Sequence, residues 1–130
     1  MPLEDPTNPH AWLSRAKGNL LLAEKGGRLQ GILLEDLCFH AQQAAEKALK
    51  SVCLLRGMEI PKTHSLVRLM DLLESDGLAI PANVREADGL TQYAVQTRYP
   101  GWAEAVTRDE YRTVLELAAR VVFWVESLLV

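Results

Sequence analysis

The sequence predicts an all-α protein, an up-down antiparallel bundle of four to five helices. Three observations carry this reading. The chain holds 22 Leu and 15 Ala against 10 Val and 3 Ile. Leu and Ala are good helix formers, whereas the β-branched residues that favour strands are scarce. Apolar residues also recur three and four apart through most of the chain, the spacing of one helix face. Short Gly and Pro punctuation separates these runs, and long helices joined by short connections pack up and down. A length of 130 residues fills one hydrophobic core and is short for two. One domain over 1–130 is expected.

The first helix begins at Asn8-Pro9. Asn8 caps free amide groups, and Pro9 gives up no useful donor at the first helical position. Trp12, Leu13, Ala16, Leu20 and Ala23 share a face, and Gly26-Gly27 ends the run. The second helix spans about Leu34 to Arg56, with Gly57 as its stop. Leu34, Leu37, Cys38, Ala41, Ala44, Ala45, Ala48, Val52 and Leu55 form its stripe. Alanine in the middle lets a neighbouring helix come close. His40, Gln43, Glu46, Lys47 and Lys50 fall on the opposite face.

A short third helix follows a Thr63 cap, with Leu66, Leu69, Met70 and Leu73 inward and Asp76-Gly77 as its end. A fourth follows Pro81, burying Val84, Ala87, Leu90, Thr91 and Ala94, and Pro100 closes it. In the fifth, Thr107 and Glu110 fit a capping box, in which each side chain bonds the other's backbone amide. Tyr111, Val114, Leu115, Ala118, Val121, Val122, Val125 and Leu129 then repeat at helical spacing, with Leu117, Trp124 and Leu128 beside them. Such an extensive apolar surface makes this helix central or shared with a partner. Phe123, Trp124 and Trp102 add aromatic surface, and a homodimer is expected.

Several function classes fall away. A net charge of −3 supplies no global field for nucleic acid. The Val121–Val130 tract is broken by Glu126 and is well short of the roughly 20 residues of a membrane span, so no membrane association is expected. The acidic, Pro-rich start is not expected to act as a signal peptide. Cys38 and Cys53 sit among Leu and Ala without metal spacing, and read as reduced core cysteines of a cytoplasmic protein. No HExxH, GxSxG, Walker or GxGxxG pattern occurs. Neither metal nor cofactor is expected.

The polar face of the second helix is the first candidate site. Gln43, Glu46, Lys47 and Lys50 lie three and four apart. Physical considerations alone favour a solvated face with a Glu46–Lys50 pair. A functional reading makes Lys47 and Lys50 phosphate-binding cations and Gln43 a base or ribose contact. His64, after Lys62-Thr63 at a helix start, either anchors a loop or helps hold an anion. Arg98 complements a helix C-terminus, and Tyr99 and Trp102 cover the core, stack a base or meet a partner.

The run Cys38–Lys50, CFHAQQAAEKALK, followed by Thr63-His64-Ser65-Leu66 and Arg98-Tyr99-Pro100, resembles the HEPN domain family of bacteria and archaea. The resemblance covers nearly the whole chain in the right order. It implies a bundle similar to the C-terminal domain of kanamycin nucleotidyltransferase, usually homodimeric. It also implies a nucleotide-binding or accessory partner of a minimal nucleotidyltransferase, within a toxin-antitoxin type system. Gln43, Glu46, Lys47, Lys50, His64, Arg98 and Tyr99 match the family pattern.

Many such domains are metal-independent ribonucleases with an Arg-x4-6-His motif. Here seven residues separate Arg56 from His64, and no His follows Arg98. A non-catalytic protein is therefore expected, with a nucleotide or RNA as ligand. A degenerate ribonuclease, with Arg98 and His64 meeting across a dimer, and a protein-binding adaptor are the alternatives.

Overall fold

The computed structural model describes residues 5–94 and 105–129. Its helices are α1 (Pro9–Gly26), α2 (Leu34–Leu55), α3 (Leu66–Ser75), α4 (Ala82–Arg85) and α5 (Arg108–Leu128), with a 3-10 helix at Glu86–Ala94 after α4. No strand occurs among the described residues. The expected Arg98, Tyr99, Pro100 and Trp102 lie outside them.

The punctuation works largely as its chemistry dictates. Asn8 Oδ1 accepts from the His10 amide, and Pro9 opens α1. Gly57 and Gly77 take φ of 84° and 95°, a left-handed turn that side-chain-bearing residues rarely adopt. Behind them the amides of Met58 and Leu78 reach back to the carbonyls of Cys53 and Leu73, which closes α2 and α3. Gly26 and Gly27 serve close approach instead. A Cβ on Gly26 would stand 2.4 Å from Leu37 Cδ2, and one on Gly27 would stand 2.4 Å from the Tyr111 hydroxyl.

Three expected local features differ. Thr63 does not cap α3: its hydroxyl accepts from the Ser65 amide, and Ser65 caps the helix through the Arg68 amide. The fourth helix is one α turn followed by 3-10 geometry, because Asp88, Gly89 and Thr91 are poor α-helix formers. Only half of the capping box forms. Thr107 Oγ1 accepts from the Glu110 amide, while the Glu110 carboxylate accepts instead from the Tyr93 hydroxyl.

Helix α2 is the centre of the bundle. Its Ala41, Ala44, Ala45 and Ala48 are buried, as are Leu13, Ala16 and Ala23 of α1 and Val114, Ala118, Val121, Val122 and Val125 of α5. Small residues on α1 and α2 allow the two backbones to approach. Leu55 departs from the expected stripe and is 47% exposed, at the last residue of α2. The α1–α2 pair is antiparallel, with Gly26 against Leu37 at one end. So is α1–α5: Tyr111 bonds the Ala23 carbonyl near one end, and Lys17 pairs with Glu126 towards the other. Connection 56–65 climbs back along α2, so α3 starts beside Gln42 and Glu46 and ends beside Arg56. This returning connection builds the site described next.

Candidate functional site

Two polar clusters flank the outer face of α2. The first faces connection 56–65. Glu46 is 4% exposed and Lys50 is 7% exposed, so the expected solvated pair is a buried one. The correction has a simple cause: connection 56–65 folds over this side of α2, which a free helix would leave wet. Lys50 Nζ donates to Glu46 Oε2 at 2.9 Å. Glu46 Oε1 meets His64 Nδ1 at 2.9 Å and accepts from Gln42 Nε2 at 3.2 Å. Gln42 Nε2 also donates to the His64 carbonyl at 3.2 Å, and Gln42 Oε1 accepts from Gln43 Nε2 at 3.0 Å. The buried amide of Gln42 thus has partners on both sides.

Burial works against the charge on Glu46. The hydrogen bonds from Lys50, His64 and Gln42 and the Lys50 charge outweigh it, and the carboxyl is held below its ordinary value of 4.5. An ionised carboxylate only accepts, so His64 Nδ1 must carry the hydrogen. In the neutral ring this fixes the tautomer. Its side chain remains 66% exposed.

The second cluster lies at the α1–α2 seam. Lys47 Nζ donates to Asn19 Oδ1 at 2.7 Å, and Asn19 Nδ2 lies 3.3 Å from His40 Nδ1. Burial lowers the Lys47 pKa, and the positive charge of Arg15 lowers it further, against an opposing pull from Glu46. Arg15 precedes Asn19 by four residues on α1, which sets the two on neighbouring turns of the helix.

The structure therefore divides the expected site residues. Gln43 and Lys47 remain partly open to solvent, whereas Lys50 is committed to Glu46, and His64 joins Lys50 through that same carboxylate. Arg98 and Tyr99 lie outside the described residues. Arg56, half of the nearest approach to an Arg/His motif, donates through Nε to Asp76 Oδ2 at 2.6 Å and through a terminal nitrogen to the Asp76 carbonyl at 2.8 Å. It ties the end of α2 to the end of α3.

Gln42, Asn19 and Arg15 were not legible as site residues. Gln42 had a signal: Cys38, Ala45 and Leu49 surround its position on the α2 wheel, and a polar residue there needs buried partners. Asn19 and Arg15 carried none, because a polar face of α1 shows no preferred neighbour. Among the described residues, no group of three His, Cys, Asp or Glu could hold a metal ion, and no helix is long and apolar enough to cross a membrane. Burial pushes the thiols of Cys38 and Cys53 up to about 12 and about 11.

A bundle with no strand among the described residues, built on a central helix whose Gln-Gln-x-x-Glu-Lys turn is tied to a histidine ahead of the next helix, defines a recognisable class of small helical domain. The chain belongs to the HEPN domain family, whose profile matches residues 9–128. It is similar to the crystal structure of TT1696 from Thermus thermophilus, with 34% sequence identity and a TM-score of 0.80, over 92% of this chain and 96% of that one. It is also similar to ST0689, described as an archaeal HEPN homologue, with 25% identity and a TM-score of 0.70, over 93% of this chain and 97% of that one. None of the curated proteins matches the chain.

Proposed function

We propose that the protein is a non-catalytic, homodimeric HEPN protein that binds a nucleotide and serves a small nucleotidyltransferase as its partner, within a toxin-antitoxin type pair. The observation that carries this reading is Lys47, positioned at the α1–α2 seam and partly open to solvent. Lys47 is held by Asn19 with the charge of Arg15 bearing on it, and Gln43 lies one turn away on α2. A nucleotide phosphate relieves the repulsion, and the Gln43 amide meets base or ribose. Arg98 and Tyr99, which match the family pattern in sequence, are further candidates for the phosphate and the base. Lys50 contributes at second hand, by holding the α2 carboxylate that secures the neighbouring connection.

The test is calorimetric titration of the full chain with each of the four ribonucleoside triphosphates. Lys47→Ala combined with Arg15→Ala weakens binding by about tenfold or more, roughly 1.4 kcal/mol. It also flattens the salt dependence, since fewer counterions are released. Helical circular dichroism stays unchanged. If no triphosphate binds, the adaptor reading takes its place. If the protein cleaves RNA and His64→Ala stops it, the ribonuclease reading does. Sedimentation at micromolar concentration checks the dimer.

A further inference from the structure

The Glu46–His64 pair plays no direct part in the seam site, yet its construction exceeds what anchoring a loop requires. The carboxylate is buried and takes hydrogen bonds from Gln42, Lys50 and His64, while the imidazole it holds is largely open to solvent. The backbone carbonyl of His64 is fixed separately by Gln42, so the connection is anchored without the ring. In the neutral ring, with its hydrogen on Nδ1, the remaining lone pair is on Nε2.

We propose that His64 is a covalent phosphoryl-acceptor site, its Nε2 attacking a small phosphoryl donor with a good leaving group while Glu46 holds the reactive tautomer. The Nε2 lone pair forms the P–N bond. The bond from phosphorus to the leaving group breaks, and its electron pair departs with that group. No proton need leave Nε2, and the Nδ1 hydrogen stays in its bond to Glu46. As the imidazole becomes positive, the ionised carboxylate stabilises it, as an orienting acid does in catalytic dyads. Lys50 on the other carboxylate oxygen keeps Glu46 charged, and the exposed Lys62, two residues earlier, adds positive charge for the phosphoryl oxygens. The site is independent of nucleotide binding at the seam.

The test treats the full-length protein with potassium phosphoramidate at neutral pH, where ammonia is the leaving group. Labelling is followed by intact mass, peptide mapping and phosphorus NMR. His10, exposed on the first turn of α1, is the internal comparison. His64 is expected to label about tenfold faster than His10, at Nε2 alone, and His64→Gln removes the fast phase. Glu46→Gln is expected to slow His64 about tenfold and to yield both nitrogen isomers. Since that variant weakens the buried pair, the wild-type isomer pattern stands as a separate criterion. Equal rates at His64 and His10, or phosphorylation of His64 at Nδ1, overturn the proposal.

Discussion

The two sides of α2 present the same chemistry in opposite surroundings. Lys47 and Lys50 are three residues apart on one helix, and each has a partner. At the seam, Lys47 reaches an uncharged amide oxygen of α1 and keeps contact with water. Under connection 56–65, Lys50 is sealed against a carboxylate that also receives an imidazole and an amide. The difference comes from what covers the helix rather than from the helix. One side leaves its cation partly open to solvent. The other uses its charges internally to fix the path of the chain.

The largest expected effect breaks the sealed side. Glu46→Ala leaves Lys50 buried without its counter-charge and releases His64, and should destabilise the fold by about 3–5 kcal/mol in urea denaturation. A loss below about 1 kcal/mol would mean that the pair is hydrated and the two sides are alike. The next effect concerns the alanine stripe between the two sides. Ala44→Leu or Ala48→Leu should each cost about 1–3 kcal/mol by overpacking. Gly27→Ala, whose new Cβ would meet the Tyr111 hydroxyl, should also destabilise, by about 1–3 kcal/mol. Unchanged melting in the alanine variants would place those positions on the surface.

A pH series sharpens the contrast. The native Glu46 carboxyl lies below its ordinary 4.5, so in acid the unfolded chain binds more protons than the native one. The resulting stability is fully present above about 4.5 and is lost as pH falls through the lowered native value. The stability gap between wild type and Glu46→Gln should therefore narrow below that range; a constant gap would contradict the ionised carboxylate. The smallest effect is Lys47→Ala, expected to cost only about 0.5–1.5 kcal/mol for its hydrogen bond. A loss as large as that of Glu46→Ala would erase the distinction between the sides.

Much of the bundle was legible because its signals are local. The Asn8-Pro9 start, the alanine stripe of α2 and the Thr107 cap each follow from residues within a turn or two of one another. The burial of Glu46 and Lys50 was not, because it depends on a connection that returns to α2 after leaving it. Read as an isolated helix, that face is polar and therefore wet. The fourth helix was misjudged for a related reason: its inward residues keep helical spacing while Asp88, Gly89 and Thr91 loosen the backbone into 3-10 geometry. The site followed the same rule. Gln43, Lys47 and His64 were recognisable from their motif, whereas Asn19 and Arg15 acquire meaning only once α1 lies beside α2.

The contact between Tyr111 and the end of α1 bears on how the chain assembles during synthesis. The tyrosine hydroxyl donates to the Ala23 carbonyl across 88 residues, so this latch cannot close until α5 has left the ribosome. The α1–α2 hairpin, whose contacts are closer in sequence, is available much earlier. Until α5 arrives, the hairpin waits with the apolar side that α5 will cover still open. The nascent chain is then most prone to chaperone capture or to pairing with another unfinished copy.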